Sequence, residues 1–337
     1  MSVTPAGTVH SAHYQRFRTR PRTSRWAWVA MVSRGVRLAL KDHRNLILLM
    51  AAPGFVLGAV IIFYVLSLLE QLAGTRDAQG LYNFVKIFLG VDISGAAKLS
   101  DYRLPLWEGV FVLMTRLQLF YLLIVISRLG PGLIADDLKT NALPIYFARP
   151  ITPMTYLLGK WLTIGVFIAL CMLVPNMLAL GGGILVAGTP GTWLQTFGLA
   201  GNLTLIGLGV MLIGGLLILA LSSLTADKRF VVVAWIAIAL LPEIIQQILF
   251  EELEPASTTR FLGSLSLNNN IMLLTNWVFD LRSAWQATGL PREAYEAALG
   301  RAVEPLYSAL VLLAVTLTAG AIAYRRVVRF SQSAANV

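Results

Sequence analysis

Residues 161–226 contain no Asp, Glu, Lys or Arg. A run of that length cannot keep a soluble fold hydrated. Two membrane helices joined by a tight turn would use all of it, because each satisfies its own backbone hydrogen bonds inside hydrocarbon. Gly188-Thr189-Pro190-Gly191 lies near the middle and supplies the turn. The rest of the chain is consistent with this: hydrophobic residues make up 57% and charged residues 13%, where a soluble domain carries roughly a quarter charged. The apolar runs are continuous and not alternating, which excludes a barrel.

A crossing takes about 20 apolar residues, and six runs qualify, at 46–69, 109–127, 161–185, 199–224, 230–250 and 306–324. The expected class is an all-α polytopic membrane protein, with residues 24–330 as one transmembrane domain. Residues 1–23 read as a mobile basic leader and 331–337 as a flexible tail. No cleavable signal is expected, since the first apolar run starts only at Leu46, behind basic residues. Orientation follows from Lys and Arg. The leader, 127–160, 225–229 and the tail together hold 18, against 8 in the loops on the other side. The richer side is cytoplasmic, so both termini are expected there.

Residues 24–43 place Trp26, Val29, Val32 and Val36 on one helical face and Arg34, Arg37 and Lys41 on the other. That pattern fits an amphipathic helix lying in the membrane interface. On the outer side, 70–108 holds five acids, and 251–305 includes an apolar segment at 271–281 too short to span. The latter suits a re-entrant or interfacial helix.

Catalytic chemistry finds no support in the residues. No G-x-x-x-x-G-K-[ST] phosphate loop occurs. All three histidines (His10, His13, His43) precede the first span, so no intramembrane metal site is expected. Cys171, the single cysteine, lies inside the third run and reads as a core residue. No cofactor is expected in this chain, and no nucleic-acid partner.

Charges within the spans are few. Arg116 in the second and Glu243 in the fifth both lie seven residues from the outer ends of their runs. That places both roughly 10 Å deep at about 1.5 Å per residue. Opposite charges at matched depth are expected to pair, within one chain or across a dimer, because an isolated charge in lipid costs several kcal/mol. Gln247 shares the Glu243 face. The trio either orients helices or touches a transport route. Asn176 and Asn202 read as interhelical hydrogen-bonding groups. Gly54, Gly58, Gly207 and Gly214 read as points of close helix approach.

The segment between the second and third runs is longer than a connection needs. It offers an acidic pair, Asp136 and Asp137, and apolar residues Leu138, Leu143, Ile145, Tyr146 and Phe147. A bend at Arg149-Pro150 and a closing Leu158-Gly159-Lys160 follow. Residues 136–147 are expected to form a short helix that Pro150 and Pro153 stop. The segment resembles the coupling segment of the type-two permease family of ATP-binding-cassette exporters. It has Asp where Glu is commoner and Asn141-Ala142 where Gly-Thr is usual. The resemblance implies a separate cytoplasmic ATPase that binds ATP and Mg and docks on these residues, and a second permease copy or paralogue alongside. It implies export across a prokaryotic plasma (inner) membrane. The alternatives are a secondary transporter or channel without an ATPase, and a membrane scaffold or assembly factor using the same helix.

Overall fold

The computed structural model describes residues 26–72, 75, 78–94, 102–147, 151–252, 265–294 and 305–335, with only the backbone for 247, 249–252 and 333–335. The expected leader, Arg149, Pro150, the Gln247 side chain and parts of both outer loops therefore lie outside the described residues. Among those described there is no strand, and six helical segments are long and apolar enough to cross a membrane.

In chain order, α1 (Ala27–Lys41) leads through Asp42 into α2 (His43–Leu49) and α3 (Ala52–Leu72), which together make the first span. After α4 (Ala78–Leu89) comes the second span, α5 (Arg103–Leu129), followed by the short helices α6 (Gly132–Lys139) and α7 (Leu143–Phe147). The third span is α8 (Pro153–Ile168), a π-helical turn (Ala169–Leu173) and α9 (Val174–Ala187). The fourth and fifth are α10 (Trp193–Leu224) and α11 (Lys228–Glu252). Two short helices, α12 (Leu267–Val278) and α13 (Leu281–Ala287), precede the sixth span, α14 (Pro305–Ala335).

Every helical segment outruns its apolar run, because polar ends continue the helix beyond the hydrocarbon. The π turn has a local cause. Pro175 has no N–H, and its ring opposes the carbonyl four residues back, at Cys171. Widening the preceding turn to an i→i+5 bond, Val174 N–H to Ala169 C=O, relieves the clash. The expected single helix over 136–147 is instead two helices. Thr140–Ala142 break it, with Asn141 at φ 52°, a left-handed conformation that Asn tolerates better than most residues.

The core is built by pairing helices: α3 runs along α9, α10 along α14, and α1 along α8. Phe63 of α3 stacks on Trp107 of α5 at 4.0 Å between ring centroids. The two rings fill the space over Gly183 of α9, where an added Cβ would lie 2.6 Å from Phe63 and 2.8 Å from Trp107. Gly207 and Gly214 likewise meet neighbours, Leu173 and Ile126, while Gly54 and Gly58 face open space within this chain.

Burial is uneven. Only 17% of the most apolar window of the first span and 11% of that of the fifth is buried, against 56% for the second and third. These two spans, and the sixth at 28%, therefore present most of their apolar surface outward, to lipid or to another subunit.

Candidate functional site

The segment between the second and third spans is fastened to the bundle at several points. α5 ends at Gly130-Pro131, and the N–H groups that open α6 have no cap in their own segment. Ser222, near the end of α10, provides one. Its buried Oγ accepts from the N–H groups of Ile134 and Ala135, both at 3.0 Å, and donates to the Pro131 carbonyl at 2.7 Å. Helix starts leave such donors orphaned, and here a side chain from a different span satisfies two of them.

The acidic pair turns inward. Asp137 accepts from the Tyr156 hydroxyl at 2.6 Å and pairs with Lys160 at 2.7 Å, both partners lying on α8. The Asp137 and Lys160 side chains are 13% and 18% exposed, so this pair is largely withdrawn from water. Asp136 pairs with Lys228, the first residue of α11, at 2.6 Å. Within this chain, then, both acids pair with lysines, Asp137 largely buried and Asp136 about half exposed.

The apolar residues divide as well. Leu143 is fully buried in a cluster with Ile134, Tyr156, Leu219, Ala323 and Val327, which ties α7 to α8, α10 and α14. Leu138, Tyr146 and Phe147 pack against that cluster, the last two with ring centroids 5.7 and 5.9 Å from Tyr156. Of the expected docking residues among those described, Ile145 alone projects, at 66% exposure. Lys139, Thr140, Asn141 and Pro144 are exposed beside it. The free face is therefore a ridge around the break between α6 and α7.

At the same end, the junction of α1 and α2 is locked to α5. Arg128 donates to the Asn45 side chain at 3.1 Å and to Asp42 at 2.7 Å. The Arg44 backbone N–H, and after it the Arg128 guanidinium, hold the Asp42 carboxyl below the usual carboxylate range. α1 also packs through Met31 and Gly35 against Gly159 and Thr163 of α8.

The opposite end has its own clamp. Arg103 grips Glu70 with two bonds of 3.0 and 2.9 Å, and donates to the carbonyls of Ala187 and Thr189 at 2.9 and 3.0 Å. One guanidinium thus joins the ends of the first three spans. Midway, Gln118 donates to Asn176 at 3.0 Å, both fully buried. That is the interhelical role expected of Asn176; none of the bonds described here involves Asn202.

Arg116 and Glu243 are not brought together within this chain. Arg116 is exposed on α5 and makes no ion pair among the described residues. Glu243 accepts from the Ser266 hydroxyl ahead of α12 and lines a small apolar pocket with Leu119, Trp235 and Ile271. Equal depth did not make them neighbours, because they face different directions.

Among the described residues no three His, Cys, Asp or Glu side chains converge as metal ligands. What the arrangement offers is mechanical: a short two-helix element, firmly attached to several spans, with one exposed ridge. A family model described as ABC-2 family transporter protein matches residues 36–333. The chain belongs to the ABC-2 transporter family. The ABC-2 match begins inside α1 and ends inside α14, so it takes in all six spans and the α6–α7 element. A search among curated proteins returns no match. ABC-2 permeases are multi-pass membrane subunits, generally non-catalytic, and the six candidate spans agree with the multi-pass part of that description.

Proposed function

We propose that this ABC-2 protein is the permease subunit of an exporter driven by a separate ATP-binding-cassette ATPase, and that α6–α7 is where the ATPase docks. The observation that carries the reading is the fastening of α6–α7. Ser222, Lys228, Tyr156, Lys160 and the Leu143 cluster connect it to α8, α10, α11 and α14. Force applied to its ridge reaches four spans as a rigid displacement. ATP and Mg belong to the partner, and ATP binding would shift the equilibrium by binding one arrangement of the assembly more tightly than the other.

In this reading Lys139–Asn141, Pro144 and Ile145 make the contact, while Asp136, Asp137 and Leu143 hold the element in place. The site lies on the cytoplasmic face of a prokaryotic plasma membrane, with both termini on that side, as the Lys and Arg distribution indicates. The sparsely buried first and fifth spans support pairing with a second permease copy or a paralogue, as well as lipid contact. Arg116, exposed on α5, would then find its counter-charge across that pairing, with Glu243 as the candidate beside the route.

The test is co-purification of the tagged chain from its native host in mild detergent, as wild type and as Ile145→Asp. Recovery of an ATPase with wild type, and its loss from a variant of unchanged thermal stability, is expected. Absence of any ATPase after cross-linking through an Ile145→Cys variant would overturn the proposal.

A further inference from the structure

A cavity of about 930 Å³ opens at the α6–α7 end, between α1 and the ends of α5, α6, α8 and α11. Five cations and three carboxylates border it. Each carboxylate is already engaged: Asp42 with Arg128, Asp136 with Lys228 and Asp137 with Lys160. Arg34 of α1 and Arg229 of α11 remain, both exposed, with no side-chain hydrogen bond or ion pair among the described residues; Asp227, which accepts from the Arg229 backbone N–H, is not part of the lining. The lining therefore carries an excess of two positive charges.

Its remaining wall is apolar, with Leu38, Ile164, Phe167 and Val232. The cavity sits at the level where α5 ends at Leu129 and α11 begins at Lys228. In a bilayer crossed by the apolar runs at 109–127 and 230–250 this level would fall at the headgroups. A volume near the upper limit for a small-molecule site, far larger than an inorganic anion needs, meets free guanidinium groups and an apolar wall.

From this we infer that the cavity binds an anionic phospholipid of the adjacent leaflet. Its phosphate lies between Arg34 and Arg229, and its acyl chains lie along Leu38, Phe167 and Val232. Guanidinium suits phosphate because its donors match two phosphate oxygens at once. The lipid would bridge α1 and α11, which both line the cavity. The inference rests on the cytoplasmic placement proposed above, and not on the ATPase or the cargo.

The experiment is native mass spectrometry of the full chain in a neutral detergent, titrated with dioleoyl phosphatidylglycerol or dioleoyl phosphatidylcholine. Wild type, Arg34→Gln/Arg229→Gln and, as an equal-charge control, Arg282→Gln/Arg325→Gln would be compared at matched thermal stability. The expected result is one phosphatidylglycerol held in preference to phosphatidylcholine, weakened about 30-fold in the Arg34/Arg229 variant and unchanged in the control. Equal retention of the two lipids, or equal retention by wild type and the Arg34/Arg229 variant, overturns the inference. So does full displacement by glycerol phosphate, which would make the site one for soluble anions. Labelling of an Arg34→Cys variant by a membrane-impermeant maleimide in oriented vesicles tests the placement separately. Exclusive labelling from outside would overturn the orientation while leaving the binding result to stand.

Discussion

Replacing Ser222 with Ala should detach α6 from α10 without touching any exposed residue. The hydroxyl serves three buried backbone groups: the N–H of Ile134, the N–H of Ala135 and the carbonyl of Pro131. Ile134 and Ala135 are 1% and 0% exposed, so water does not readily replace the lost partner. At about 1 kcal/mol net per hydrogen bond the loss is about 3 kcal/mol. At the roughly 0.6 kcal/mol typical of polar contacts between membrane helices it is about 2 kcal/mol. Unfolding by sodium dodecyl sulfate in mixed micelles measures the difference, and limited proteolysis between 139 and 152 reports whether the segment has come loose. A loss below about 1 kcal/mol with unchanged protease resistance would refute the reasoning, since the three groups would then have other partners.

Asp137→Asn should leave Lys160 as a poorly hydrated, unpaired charge and cost about 3 kcal/mol. Adding Lys160→Met should recover most of that loss, and simple additivity in the same unfolding assay would show that the pair is not coupled. Arg103→Lys keeps the charge but not the fork that reaches Glu70 and two carbonyls together. About 2 kcal/mol of destabilisation and faster cleavage near 188–192 are expected, and wild-type behaviour would contradict the clamp. Asp92 is held down to about 2, first by the Lys86 ammonium and then by Ser94. A depressed carboxyl contributes stability above its unfolded value of 3.8 and loses it as pH falls toward about 2. Hydrogen exchange over 86–94 should therefore be constant from neutral pH down to about 4, after correction for the intrinsic rate, and rise below it; Lys86→Met should weaken that dependence.

The six spans were legible in the sequence because lipid imposes one requirement, a long apolar run, that residue types alone satisfy. The α6–α7 element was legible in place and composition but not in form. The residues 140–142 carry no Gly or Pro, and only the left-handed Asn141 divides the helix. The fastenings were not legible, since Ser222 with Ile134, and Arg103 with Ala187, pair residues over eighty positions apart. Depth along a span can be counted from sequence, but the direction a side chain faces depends on neighbouring helices. That is why Arg116 and Glu243 matched in depth and still face apart. The inward turn of Asp137 had a usable signal: Tyr156 and Lys160 lie four residues apart on one helix face, offering a hydroxyl and an ammonium together.

The widened turn at Ala169–Leu173 changes how the third span must be counted. A π turn is one residue more than an ordinary helix holds, and one residue is about 100° of rotation. Faces assigned from α8 do not carry into α9 unless that extra residue is subtracted. A relative lacking the proline would be free to lack the residue too, so its alignment gap would fall inside a membrane helix, where gaps are normally forbidden. Deleting Leu170 together with Pro175→Ala should close the turn to an ordinary α-helix and leave Asn176 on Gln118 and Gly183 against Phe63. The site where insertion looks least tolerable is thus the one where this span already accommodates an additional residue.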